Sequence, residues 1–297
     1  MAFGTTHRGL EPLPPDAKPQ YPGRVILANT PDSWSYQHFL DRVTKLMTQS
    51  EPWRVAGPSE QRYQLLISKP SFPIPGDILE AALGIEGEVA PSSNEFSAAE
   101  LVFSCRTPMS HPYFHERLWE VLKLPPITPL EQRKVVLYLS RNHGGTVNGG
   151  RRITNEEALL EFIRALLKQR GRGEQLVVFN VSSVPHVQDM AGFLFSNVSA
   201  VFGPHGGAWC NYIQFAAPDT LGIEFMPTDF FSVAIWEEAS MRQRPFMVLP
   251  VPSINSQHDM EVDPALVGKA LQKHLGRPSP QPEPQPSYTW DLATLSK

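Results

Sequence analysis

The chain has 297 residues, enough for one large domain or two of the usual roughly 100–200 residues. Lysine and arginine number 26 against 30 aspartates and glutamates, and the net charge of −4 offers no global positive field to a nucleic acid. Apolar residues make up 41% and charged residues 19%, which excludes a wholly disordered chain.

Proline, with 30 residues, stands at about twice its usual share of roughly 5% and marks both ends. Residues 1–22 read as an extended, proline-rich lead-in that can hold neither a helix nor a central strand. A first α/β half follows over 23–126. It opens with a strand at 24–28, then a helix over 34–47 announced by Thr30-Pro31-Asp32-Ser33, which holds a capping residue and a proline at the first helical position. Short strands are expected at 65–67, 88–90 and 100–104, a helix at 115–122, and a proline linker at 125–129.

The second half, 127–276, is more regular. Strands at 134–139, 176–179, 199–202, 221–225 and 246–249 alternate with helices at 155–169, 187–195, 208–215 and 231–241. Such alternation implies a parallel sheet covered on both faces, with ligands held in the loops beyond the strands' carboxyl ends. Residues 277–297 form a proline-rich tail in which every second residue of 278–286 is proline, a polyproline II composition.

Two cysteines, Cys105 and Cys210, exclude a disulfide framework and leave one bridge open. No stretch has the roughly 18 apolar residues of a membrane span, and residues 1–15 lack the apolar run of a signal peptide.

The strongest chemical signal is the turn Gly203-Pro204-His205-Gly206-Gly207, between an apolar strand and the helix beginning near Ala208. Glycines there allow positive φ and close backbone approach, and the N–H groups at the helix start favour an anion such as a diphosphate. His205 lies inside the turn and can donate to the same anion. Arg141 directly follows the strand at 134–139, where a guanidinium can take phosphate oxygens bidentately. Arg151 and Arg152 precede the next helix and either add to that charge or stand in solvent. Glu224, on the strand at 221–225, either accepts from ribose hydroxyls or pairs with an arginine.

In the first half, His38 and Asp41 are three apart on one helix face, where they orient an acceptor, act as a general base, or merely contact each other on the surface. His111, His115 and Glu116 share helical spacing, but Pro112 disturbs the turn and no third ligand stands nearby, so no metal site is expected.

Taken in order, these loops resemble glycosyltransferase family 61. The resemblance rests on Leu139-Ser140-Arg141, Arg152-Ile153-Thr154-Asn155-Glu156, Gly203-Pro204-His205-Gly206-Gly207, Ile223-Glu224-Phe225 and the upstream Tyr36-Gln37-His38-Phe39-Leu40-Asp41. It runs from about residue 34 to 250 and is closest to the branch of the EGF-domain-specific O-linked N-acetylglucosamine transferase. It implies a GT-B-like α/β architecture: two Rossmann-type halves with parallel sheets, the N-terminal half short. The implied reaction is an inverting transfer from a nucleotide sugar, usually a UDP-sugar, to a hydroxyl of a protein or glycan, with no cofactor and no metal.

By position, the resemblance puts Arg141, His205, Gly206 and Gly207 at the donor diphosphate, Glu224 at the ribose, and His38 or Asp41 at the acceptor. Members usually carry Ala-Gly after the turn's glycine. Here Gly207-Ala208-Trp209 stands instead, so Trp209 is expected to narrow the donor pocket or stack on the base. An ER or Golgi lumen location is implied, and the sequons at Asn180 and Asn197 fit it without adding much.

Two rivals compete. The segment His205-Gly206-Gly207-Ala208-Trp209 also resembles the oxyanion loop of α/β-hydrolase esterases, but no Gly-x-Ser-x-Gly elbow occurs anywhere in the chain. The other rival is a catalytically inactive, transferase-derived binding module. Nucleotide binding discriminates it from an enzyme.

Overall fold

Runs of valine, isoleucine and leucine flanked by loops build two parallel sheets in the computed structural model, which describes residues 14–27, 39–40, 64–67, 88–89, 96–103, 112–142, 149–179 and 187–277. The first sheet has β1 (Tyr21–Leu27), β2 (Gln64–Ile67), β3 (Glu88–Val89) and β4 (Ala98–Phe103), in the order β3-β2-β1-β4. Val25 lies opposite Gln64 on one side and Leu101 on the other. The expected strands are thus present, shifted by a few residues at their ends. Of the helix expected over 34–47, only Phe39 and Leu40 are described, and both are buried.

Next comes α1 (Pro112–Val121), a 3-10 turn at Leu130–Gln132, and then the second unit. It runs β5 (Val135–Tyr138), α2 (Glu156–Arg170), β6 (Gln175–Val178), α3 (Val187–Asn197), β7 (Val198–Pro204) and α4 (Trp209–Phe215). β8 (Leu221–Pro227), α5 (Ala234–Met241), β9 (Phe246–Val251) and α6 (Pro264–His274) complete it. The five strands are all parallel, in the order β6-β5-β7-β8-β9.

The alternation of side chains sorts the second core into two layers. Val136, Tyr138, Ala200, Phe202, Ile223 and Phe225 face α2 and α6 in one cluster. Leu137, Leu139 and Val201 join residues of α3, α4 and α5 in the other. That second cluster also takes in Ile26, Phe39, Leu40, Leu118 of α1 and Leu122 just past its end. α1 is fastened to it by Trp119, whose indole N–H donates to the Gln214 carbonyl at 2.6 Å. Trp119 also meets the Phe195 ring edge-on at 5.1 Å.

α2 shows how local chemistry sets an element. Leu159, Leu160, Ile163, Leu166 and Leu167 recur at helical spacing and are all buried, each worth roughly 1.5–3 kcal/mol against exposure. Glu156 and Glu157 open the helix, Lys168 and Arg170 close it, and both pairs match its dipole. Gly171, at φ 66°, ends it with the left-handed residue that a helix terminus favours. An aspartate at Ile163, which is wholly buried, would break the packing.

α6 was not among the expected elements. Its signal was present: Asp263 accepts from the Ala265 N–H at 2.9 Å, and Pro264 occupies the first turn. Among the described residues, no helix is long and apolar enough to cross a membrane.

Candidate active site

In a sheet ordered β6-β5-β7-β8-β9, the chain leaves β5 to one side and β7 to the other. The crevice beyond their carboxyl ends is where such folds hold ligands. The residues after β5 are Leu139, Ser140 and Arg141. Those after β7 begin with His205, Gly206 and Gly207. The two loops singled out in the sequence therefore meet at the switch point.

Their meeting is close. A Cβ on Gly206 would collide with Nη1 of Arg141, so the guanidinium lies directly on that glycine. Arg141 is buried and donates from Nε to the Gly150 carbonyl at 2.9 Å. Burial, with the charges of Arg151 and Arg152 adding to it, pushes Arg141 down to about 10, so it stays cationic at neutral pH.

The turn's glycines divide their labour. Gly203, at φ 150°, sits where a Cβ would come within 2.7 Å of the Leu139 carbonyl oxygen, while Gly206 makes room for Arg141. The N–H groups at the start of α4 are not the available ones, because Trp209, Cys210 and Asn211 donate to the carbonyls of Gly206, Gly207 and Ala208. Instead the N–H groups of Gly206, Gly207 and Ala208 are left without an acceptor among the described residues.

His205 is held from two sides. Its N–H donates to the Phe225 carbonyl at 2.9 Å, and its Nδ1 lies 2.7 Å from Oε1 of Glu224. Glu224 is 0% exposed. Burial pushes its carboxyl up, against the opposing effect of His205 and Arg151. Of the two readings of this residue, the structure displays a pairing, with a histidine rather than an arginine as the direct partner.

The two consecutive arginines part company. Arg151 is buried at φ 57°, its guanidinium 5.1 Å above the Phe230 ring, and burial lowers it while the Glu224 charge counters. Arg152 has an exposed side chain, and its N–H donates to Oδ1 of Asp259 at 2.8 Å. Gly150 and Arg151 owe their backbone to the segment before α6: the Arg151 N–H donates to the Gln257 carbonyl at 2.9 Å. A Cβ on Gly150 would strike that same carbonyl.

Several motif residues turn out to be braces. Asn155 donates to the Val262 carbonyl at 2.7 Å and accepts from the Val262 N–H at 3.0 Å. The Ser140 hydroxyl donates to Glu156 at 2.7 Å, tying the loop after β5 to the start of α2. Trp209 does not reach the surface, where a base could stack on it. It is 0% exposed, donates to the Pro204 carbonyl at 3.0 Å, and meets Tyr212 and Phe246 edge-on, so it braces the turn from within the core.

Sequence reasoning missed Phe230 and His258. Phe230 lies 6.0 Å from the His205 ring and 5.1 Å from the His258 ring, between three loops distant in sequence. His38 and Asp41 lie outside the described residues, as do Cys105, His111 and the Asn180 sequon. Cys210 is buried in the core. Asn197 is exposed, but the Ser199 hydroxyl of its sequon is buried and donates to the Val135 carbonyl at 3.0 Å. Among the described residues, no three His, Cys, Asp or Glu side chains converge as a metal site would need.

The chain is thus an α/β protein whose doubly wound parallel sheet carries an arginine, a histidine and unspent N–H groups at its switch point. Comparison with protein families then matches residues 36–223, more than half of the chain, to the family described as Glycosyltransferase 61. The chain belongs to glycosyltransferase family 61. The match covers Arg141, Arg151, His205 and the turn, and stops one residue before Glu224. No curated protein matches the chain.

Proposed function

We propose that the protein is an inverting glycosyltransferase that moves a sugar from a UDP-sugar to a hydroxyl of a protein or glycan acceptor. The observation that carries this reading is the stacking of Arg141 on Gly206 beside His205, at the crevice between β5 and β7. Family membership and the two parallel sheets support it. The two sheets are read as the halves of a GT-B arrangement, with the donor on the second.

In the reaction, the acceptor oxygen forms its bond to the sugar's anomeric carbon as the bond to the diphosphate breaks. The acceptor proton passes to a base, for which His38 and Asp41 are the candidates. Negative charge grows on the departing diphosphate. Arg141, His205 and the N–H groups of Gly206 and Gly207 meet it, a preorganised arrangement that favours the transition state over the bound substrate. Arg151 adds charge from the buried side, and Arg152 from solvent. With the leaving group met by side chains and amides, the reading calls for no metal and no cofactor.

Family membership supports an ER or Golgi lumen location for this reaction. The likeness to the EGF-domain-specific branch favours a protein acceptor.

A thermal-shift series with UDP, GDP, CMP and ADP, each with and without manganese, tests the reading. UDP alone should raise the melting temperature, equally with and without the metal, because a ligand that binds only the native state stabilises it. No shift with any nucleotide would replace the enzyme with a transferase-derived binding module.

A further inference from the structure

Glu224 occupies the middle of a fully buried strand, and that place decides whom it can serve. The register sets it opposite Gly203 on β7, directly beneath the turn that carries His205. All seven residues of β8 are buried, so a ribose hydroxyl reaches this carboxylate only by prising the turn from the sheet. Its Oε1 is 2.7 Å from Nδ1 of His205, and its Oε2 has no hydrogen-bond partner among the described residues. A buried carboxylate persists where cations balance it. The two basic groups that act on it are His205, from the turn after β7, and Arg151, from the segment before α2. Beyond them lies Arg141, on which Arg151, Arg152 and Asp259 act. His258 stands beyond, against the Phe230 ring.

We infer that Glu224 is a positioning residue that acts through His205, taking the Nδ1–H so that Nε2 is the ring nitrogen offered to a diphosphate oxygen. The carboxylate expected at the ribose thus serves the diphosphate instead. In its protonated form the ring donates through Nε2 while Glu224 balances the charge. Arg151, drawn to the same carboxylate, is steered toward the site by one buried counter-charge. The inference rests on the anion-site reading above.

Calorimetric titration of the full chain with inorganic pyrophosphate and, separately, with UDP tests it. The proteins compared are wild type, E224Q, H205A and the double variant. E224Q should weaken pyrophosphate and UDP by the same factor, about 10–100-fold. The loss in the double variant should fall well short of the product of the two single losses, because Glu224 reaches the ligand chiefly through the ring. A loss with UDP but none with pyrophosphate would restore the ribose contact and overturn the inference, as would additive losses.

An H205A protein that binds both probes like wild type would instead sink the anion-site reading, and the inference with it. The wild type supplies a check that needs no Glu224 variant. Ring nitrogen NMR, with the His205 signal assigned from H205A, should show a protonated Nδ1. A bare Nδ1 would overturn the inference even if E224Q fails to fold.

Discussion

In each sheet an arginine–carboxylate pair joins distant parts of the chain, and the two pairs are built differently. In the first, Arg24 of β1 meets Glu100 of β4 at 2.5 Å, with side chains 42% and 46% exposed. In the second, Arg133 enters β5 with a wholly buried guanidinium. It bonds Asp219, the Thr220 hydroxyl at 2.8 Å and the Val198 carbonyl at 3.1 Å. The first pair spans two strands from solvent, and the second rivets the amino ends of β5, β7 and β8 together. A sheet fastened internally at one edge can present fixed loops at the other, which a site built on backbone N–H groups requires.

If that contrast is right, the largest effect lies at the second sheet's carboxyl edge. Arg141→Ala should cut turnover roughly 10²–10³-fold while leaving the fold intact, measured by donor hydrolysis beside a thermal melt. Full activity would remove the site from this edge. At the opposite edge, Arg133→Ala should destabilise the protein by about 3 kcal/mol in denaturant unfolding, since buried acceptors lose their donor and a cavity remains. A loss below about 1 kcal/mol would mean the rivet is dispensable.

Gly206→Ala sharpens the comparison. The added methyl displaces only the far end of the Arg141 side chain, so stability should change little. UDP affinity should nevertheless fall about tenfold as the guanidinium leaves its seat, a cost near that of one hydrogen bond to a charged group. Stability and affinity falling together would show that the turn is a structural element first. The smallest effect belongs to the first sheet. Arg24→Ala should cost about 0.2–1 kcal/mol, and less as salt is raised, because an exposed pair is screened by solvent. A larger loss would erase the distinction between the sheets.

The second sheet was legible in the sequence because its strands are continuous apolar runs and its helices repeat their leucines at 3.6-residue spacing. Leu159 through Leu167 and Val198 through Phe202 needed no tertiary information. α6 was legible too, through Asp263 and Pro264, and went unread. The site was legible as a set of loops but not as geometry. Nothing in Arg151-Arg152 tells which guanidinium turns inward. That is fixed by Arg151's left-handed backbone, which a carbonyl more than a hundred residues away holds in place. Likewise Glu224 and His205 stand 19 residues apart, and only the register of β7 with β8 brings them to 2.7 Å. Trp209 was misjudged because a tryptophan after a glycine turn suggests a ligand, whereas every residue of α4 is buried.

The clasp between residues 149–155 and 255–262 bears on what a motif can certify. Gln257, Asp259, Met260 and Val262 hold the backbone or side chains of Arg151, Arg152, Thr154 and Asn155, yet all four lie beyond the matched span. A chain could keep every signature between 36 and 223, acquire a different connection from its last strand to its last helix, and lose the inward arginine. Membership in the family and possession of the cation cluster are therefore separate properties, and the second is written largely in the connection after β9.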